Sequence, residues 1–381
     1  MNSDINRPLG QNSQRPSKKT DKKTAIRWLL PSAAVLGIVG LASLIAFTSH
    51  QGFRRPVPEA PKPQVADVPP AAPKAEAASG PAGDTSSSPG NIAAPQGGPK
   101  IIVVGDPTKR AQDPRTAHLP EQDMLEQSPQ GPLPVVAPDG RRPLDVYARP
   151  WSGARGARVA IVIGGLGLSQ TGSQQAIRAL PAEITLAFSP EGNSLGRWMQ
   201  AARQDGHEIL MQIPLEPYDY PRVNPGRNTL TVDAPPAATL ENLHRAMGRI
   251  TNYTGVMNYM GARFTADANA MTPVIQDLSK RGLLYLDDGT SARSQADAIA
   301  AQQGTPFAAA DVLIDSTQNR GAILKKLDEL ERIARAKGTA IATGSAFEVT
   351  VEAVTSWVNE AKARGIEIVP VSALVRDPER G

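Results

Sequence analysis

The chain has 381 residues, a formal net charge of +4, 35 Pro, 33 Gly and no Cys, and only 4% of its residues are aromatic. Without Cys there are no disulfides, thiolate zinc sites or Cys nucleophiles. The small positive charge is spread along the chain and makes no basic stripe interleaved with aromatics, so no nucleic acid is expected as a partner.

Residues 1–27 form a basic tail, with Arg7, Arg15, Lys18, Lys19, Lys22, Lys23 and Arg27 against Asp4 and Asp21. The run WLLPSAAVLGIVGLASLIAF, residues 28–47, carries no charge. About 20 apolar residues cross a hydrocarbon core of roughly 30 Å. Pro31 sits in the first turn, where its missing N–H costs little, and Trp28 suits an interface. A smaller basic cluster, Arg54, Arg55 and Lys62, lies beyond the run. The positive-inside bias therefore puts the N-terminal tail in the cytoplasm. A cleaved signal peptide is the competing reading. The run is longer than an h-region of about 7–15 residues, and AFTSHQG is a poor small-x-small cleavage site. A retained transmembrane helix over 28–47 is expected.

Residues 48–150 are rich in Pro, Ala, Gly and Ser. Such a composition cannot bury enough apolar surface to offset ordering entropy, and Pro keeps it extended. A disordered linker is expected. Ile101–Val104 is one short apolar patch in it, suited to an edge strand, to docking or to a transient contact. From Leu133 to Pro150 the chain is close enough to wrap the folded domain.

Residues 151–381 read as that domain. Arg158–Ile163 (RVAIVI) is a buried strand; Gly164, Gly165 and Gly167 turn the chain, and Ser169 caps a helix through Ala179. Further strands are expected at 183–188, 207–213 (closed by Pro214), 255–258, 283–287, 311–314, 339–342 and 367–371. Helices are expected at 194–204, 237–250, 267–281 (capped by Asp267), 291–303, 320–337 and 349–364. Alternation repeated about seven times means a parallel sheet, either doubly wound and open or closed as a barrel. Both forms place function at the C-terminal ends of strands.

Gly164-Gly165-Leu166-Gly167 fails the dinucleotide spacing, because a third glycine would fall at Gln170. A tight turn accounts for it. The strand ends carry Glu191, Glu216, Asp219, Asp287, Asp288, Asp315 and Glu348. Paired carboxylates serve as acid and base or hold a hard cation, although loop acids more commonly cap and solubilise. Adjacent Asp287 and Asp288 should raise each other's pKa. No strand end offers a His: His207 stands at the start of its strand, and His244 lies in a polar helical stretch expected to face solvent. That disfavours imidazole-dependent metal hydrolysis and Ser–His triads.

Several segments, in this order, resemble the divergent polysaccharide deacetylase family: VAIVIGGLGLS (159–169), ITLAFSPEGN (184–193), GHEILMQIPLEP (206–217), NPGRNTL (224–230), GVMNYMGARFT (255–265), GLLYLDDGTSA (282–292), ADVLID (310–315), GTAIATGS (338–345) and IEIVPVSAL (366–374). The resemblance implies an α/β fold, a deformed seven-stranded (β/α) barrel. It also implies that the family's metal ligands are replaced here: paired aspartates by Gly164 and Gly165, one histidine by Gln212, another by Tyr259 and a third by Ser345. Glu216, Asn258, Arg263, Asp287 and Asp315 fit the family pattern. Metal polarisation of an amide with activation of bound water is the implied family chemistry.

Two functions are open. One is a binding protein without cofactor, which holds cell-envelope glycan or an envelope protein through Asn258, Tyr259, Arg263 and Asp288, with Trp198, Tyr218 and Tyr220 as further groove candidates. The other is a glycan deacetylase or hydrolase using Asp287, Asp315 and Glu216, with a divalent metal as cofactor. Topology and resemblance together imply a single-pass protein of a bacterial inner membrane, with the C-terminal domain in the periplasm.

Overall fold

The computed structural model describes residues 115–380. An antiparallel hairpin comes first, β1 (Leu125–Ser128) and β2 (Gly131–Pro134), followed by a one-turn helix, α1 (Pro143–Val146). Strand and helix then alternate through β3 (Arg158–Leu166), α2 (Gln170–Ala179), β4 (Thr185–Phe188), α3 (Leu195–Gln204), β5 (Ile209–Leu215), α4 (Pro236–Met247), β6 (Gly255–Met260), α5 (Ala268–Lys280), β7 (Leu284–Asp287) and α6 (Ala296–Gln303). Two short strands, β8 (Phe307–Ala309) and β9 (Val312–Leu313), have no helix between them. Then come α7 (Arg320–Lys337), β10 (Thr339–Ser345), α8 (Glu348–Ala363) and β11 (Glu367–Ile368).

Nine strands, not seven, form one parallel sheet in the order β8-β7-β6-β5-β4-β3-β10-β9, with β11 added to the start of β3. β9 and β11 lie within the strands expected at 311–314 and 367–371, and the three-residue β8 is the piece that no periodicity marks. β8 and β9 stand at opposite ends of this order, yet only Ala310 and Asp311 separate them. A two-residue connection has a short reach, so the sheet must curl. The result is an α/β half-barrel of parallel strands.

Strand alternation sorts the core in two. Val159, Ile161, Ile163, Leu186, Ile209, Met211 and Val256 pack outward with helix residues such as Ile177, Leu243, Ile275, Leu327 and Trp357. Their neighbours Ala160, Val162, Ala187, Leu210, Met257, Leu286 and Ile341 form a second cluster on the inner face. Helix starts are fixed locally: Ser169 accepts from the Gly172 N–H (3.1 Å), Asp267 from Ala270 (2.9 Å) and Asn319 from Ala322 (3.2 Å). Pro214 lies within β5 and does not end it, since the ladder to β6 continues through Leu215.

Packed structure begins upstream of residue 151. Met124, Ala137, Val146 and Tyr147 form a small core of their own. Asn252 donates to the carbonyls of Ala117 (2.9 Å) and Leu119 (2.7 Å), and Arg142 pairs with Asp377 at 2.6 Å. Part of the expected linker is therefore domain, because scattered apolar side chains in a Pro-rich stretch found a surface to bury against. The single-pass inner-membrane placement is corrected: among the described residues no helix is long and apolar enough to cross a membrane. The run 28–47 and the patch Ile101–Val104 lie outside the described residues.

Gly255 opens β6 against β7 so closely that a Cβ there would meet the Leu284 carbonyl oxygen at 2.3 Å and its Cγ at 2.4 Å. Backbone cannot give way as a side-chain tip does. Gly255→Ala should destabilise the chain by about 1–3 kcal/mol, read as a lower urea midpoint with an unchanged slope. An unchanged midpoint would mean that β6 and β7 are not so tightly apposed.

Candidate functional site

The alternation that builds the inner cluster carries the same face to the C-terminal ends of the strands. Two residues beyond Val162, Leu210, Met257 and Leu286 come Gly164, Gln212, Tyr259 and Asp288, and Ile341 leads to Thr343 and Ser345 on β10. Gly164 lies opposite Ser345, and Pro214 opposite Tyr259. The Thr343 hydroxyl donates to the Asp288 carbonyl at 3.4 Å, which joins β10 to the end of β7 across strands that are not neighbours. These residues form the mouth of the half-barrel.

Gln212 is the pivot of the mouth. Its Oε1 accepts from the Gly165 N–H at 2.7 Å. Its Nε2 lies so near Gly164 that a Cβ on that residue would stand 2.6 Å away. The side chain thus covers the ground that a residue larger than glycine would take. Its Nε2 has no hydrogen bond among the described residues.

The other candidates divide by how fully they are engaged. Glu216 is buried; its carboxylate accepts from the Arg263 guanidinium and from the Val232 N–H (2.7 Å), and its carbonyl accepts from the N–H groups of Arg263 and Phe264, both at 3.1 Å. Arg263 also reaches Asp233 at 3.3 Å. This acid ties the loop after β5 to the loop after β6. Asp287 is equally occupied, by the Gly289 N–H (2.9 Å) and the Ser294 hydroxyl (2.5 Å). Asn258 accepts from the Asp288 N–H (2.8 Å) and donates to the Met260 carbonyl (2.7 Å), so it positions Asp288.

Asp288 and Asp315 are less committed. Asp288 takes the Thr290 N–H (2.9 Å) and hydroxyl (2.6 Å) on one oxygen; Asp315 takes the Ser345 N–H (2.6 Å) and the Thr350 hydroxyl (3.1 Å) on one oxygen. No other hydrogen bond of normal geometry reaches either carboxylate among the described residues, although the Asn258 side chain lies near enough to Asp288, and the Ser345 side chain to Asp315, to draw the pKa down. Burial pushes both carboxyls above the usual carboxylate range, against the pull of these hydrogen bonds. The charge of Asp287 also raises Asp288, in the expected direction, but adds less than burial does.

Tyr259 is 42% exposed at the rim, and Tyr218 also faces solvent. Trp198 does not serve a groove: it is buried in the outer core, stacked under Arg197. His244, expected in solvent, bonds Asp277 at 3.0 Å. His207 is buried, with its ring nitrogens against the carbonyls of Ile184 (2.8 Å) and Ile177 (3.0 Å). In the sequence Gln212 stands out only as a replaced histidine, and Thr343 and Ser294 do not stand out at all. Carrying the alternation through HEILMQI would have turned Gln212 inward. Ser294 lies in a turn, where no periodicity speaks.

The residues do not fit the divalent metal that the family resemblance implies. Gly164, Gly165, Gln212, Tyr259 and Ser345 hold no imidazole or carboxylate, and the Gln212 amide lies across Gly164. Among the described residues no three of His, Cys, Asp or Glu cluster to hold a metal. The two cavities of note, about 650 and 540 Å³, lie away from the mouth, along residues 149–152 near the strand starts.

Fold and site together define the class of protein: a half-barrel of parallel strands with carboxylates at its C-terminal rim. The chain belongs to the divergent polysaccharide deacetylase family, whose model matches residues 161–375. It is similar to an uncharacterized protein of Agrobacterium tumefaciens of known crystal structure, at 60% identity and a TM-score of 0.63, covering 64% of this chain and 99% of that one. Uncharacterized YibQ of Escherichia coli is 26% identical over 222 residues, 58% of this chain and 68% of its own. An uncharacterized protein of Haemophilus influenzae is 28% identical over 188 residues, 49% of this chain and 66% of its own.

The raised carboxyls have a consequence with a definite sign. The folded chain holds the protons of Asp288 and Asp315 more tightly than the unfolded chain, where the reference value is 3.8. Their contribution to stability is therefore present below that value and lost as pH rises through the raised folded values. Asp288→Asn and Asp315→Asn can keep the accepted hydrogen bonds through an amide oxygen. Each should flatten that part of the stability–pH curve and be at least as stable as the parent at neutral pH. Urea melts from about pH 4 to pH 8 check this; a loss above about 1 kcal/mol at neutral pH would show that the charge itself is needed.

Proposed function

We propose that this chain binds a polysaccharide at the mouth of its half-barrel and has given up the metal-dependent amide hydrolysis of its family. The observation that carries the reading is the Gln212 side chain over Gly164, bonded to Gly165. The two positions complement each other: the Gln212 amide fills the space beside Gly164, and a side chain at 164 would have to push that tip aside and break its bond to the Gly165 N–H. Neutral donors have replaced charged ones, and the outcome is a hydrogen-bonding floor. Around it, Tyr259 offers an aromatic face, Gln212 Nε2 a donor, and Asp288 and Asp315 acceptors for hydroxyl and amide groups. Glu216, Asp287, Asn258 and Arg263 hold the loops that carry them. The glycan class proposed is the N-acetylated amino-sugar polymer of the cell envelope, with an envelope protein as the alternative partner.

One observation favours hydrolysis as a second reading. Asp288 and Asp315 are both buried and both raised in pKa, and each has one oxygen without a hydrogen bond of normal geometry among the described residues, which suits an acid–base pair.

The full chain, free of a histidine tag, should be loaded with zinc, nickel, cobalt or iron and dialysed, then offered chitotetraose. The expected result is no stoichiometric metal, no acetate release, and sugar binding weakened at least about tenfold by Tyr259→Ala. Metal retained one to one and lost on Asp315→Ala, together with acetate release, would overturn the binding reading and restore the enzyme.

A further inference from the structure

The cavity of about 650 Å³ lies at the strand starts, at the opposite end of the half-barrel from the mouth. Its walls come from residues 149–157 before β3, from Glu183 before β4, and from residues 362–370 around β11. In the ladder of β11 with β3, Glu367 stands opposite Arg158. One residue on, Ile368 and Val159 belong to the outer cluster, so Arg158 and Glu367 have inward parity.

Three cations line the cavity, Arg149, Arg155 and Lys362, against two acids, Glu183 and Glu367. Lys362 is paired with Glu183 at 2.8 Å. In Glu367, Oε1 takes the Ser152 hydroxyl and Oε2 is buried, so this acid is poorly placed to meet a ligand. The other two cations have no acid within ion-pair distance among the described residues. Arg155 is exposed and makes no side-chain hydrogen bond. Arg149 is half-buried and held in place: its Nη1 donates to the Gly206 carbonyl at 2.7 Å, while Nε and Nη2 make no hydrogen bond among the described residues. A guanidinium fixed through one nitrogen, with the others open, suits an oxyanion.

The rest of the wall suits a ring that carries hydroxyls. Trp151 supplies an indole. In residues 152–156 the Ala154 N–H donates to the Ser152 hydroxyl at 3.0 Å, and no other backbone N–H or C=O is bonded among the described residues. Sugar hydroxyls both donate and accept, as those groups require. The volume is that of a small-molecule site, much larger than a bare oxyanion fills.

We propose that this cavity takes an acidic sugar, a ring carrying a carboxylate or a phosphate, with the oxyanion at Arg149 and Arg155 and the ring against Trp151. The site is separate from the mouth and does not depend on the reading given for it.

The full chain is titrated with glucuronate, with glucose 6-phosphate and with glucose while its indole N–H signals are followed by NMR. The Trp151 signal is the one lost in Trp151→Phe. At least one acid should shift it saturably, with glucose at least about tenfold weaker, and the acid that binds tells carboxylate from phosphate. Arg155→Ala and Arg149→Met should each weaken that acid at least about tenfold. Arg155→Ala, at an exposed position, should leave the melting temperature unchanged, which separates lost binding from unfolding. The same shift should appear in the Tyr259→Ala chain, so this site and the mouth are read separately. No Trp151 shift with either acid, or unchanged affinity in both arginine variants, overturns the site. Glucose bound as tightly as the acids overturns the need for charge. Inorganic phosphate or acetate bound as tightly as the matching sugar overturns the ring.

Discussion

A parallel sheet whose edge strands β8 and β9 are two residues apart in the chain cannot lie flat. The curl that joins them gives every strand an inside and an outside. The outside is covered by helices and takes large side chains; the inside is narrow, and Ala160, Ala187 and Ala308 line it beside Val, Leu and Met. Inner-face positions at the two ends of the strands then have no neighbour above or below them, and those positions are where polar side chains stand. The mouth with Gln212, Asp288 and Ser345, and the opposite end with Arg158 and Glu367, are consequences of one curvature.

The two ends are closed differently. At the mouth, Glu216 and Asp287 are engaged on both oxygens, while Asp288 and Asp315 each take two donors on one oxygen. At the strand starts, charges are mostly tied to one another and to backbone. Arg142 engages Asp145 at 2.8 Å and Asp377 at 2.6 Å, and Arg380 joins both acids. Arg203 is brought down to about 10 by burial, yet stays charged near neutrality, with the carbonyls of Ala117, Tyr147 and His207 accepting from it. Glu208 is pushed up by burial and held by the N–H and hydroxyl of Ser372. Buried ion networks of this kind add less to net stability than their number suggests, because desolvation opposes them. Their effect here is positional: they fasten residues 117–147 and 377–380 under the half-barrel.

Much of this was legible in the sequence where a signal is local. RVAIVI, LLYLD and the long run 320–337 announced their elements, and Ser169 and Asp267 announced helix starts, because alternation and capping act within a few residues. The short strand β8 and the hairpin before residue 151 were not legible, whereas β9 and β11 fall within the strands expected at 311–314 and 367–371. Three residues carry no period, and Phe307 or Leu133 became core only when distant segments arrived to cover them. At the site, the acids could be named from strand ends, but their states could not. Glu216 and Asp287 are consumed by Arg263 and Ser294, partners 47 and 7 residues away in sequence, while Asp288 and Asp315 keep an oxygen.

What the sequence alone determined is the parallel α/β class and the family, since these rest on residue types and their order along the chain. Tertiary structure decided the curl, which acids remain available, and that Gln212 lies across Gly164. Each of those depends on contacts between strands that are far apart in sequence and become neighbours only when the sheet bends.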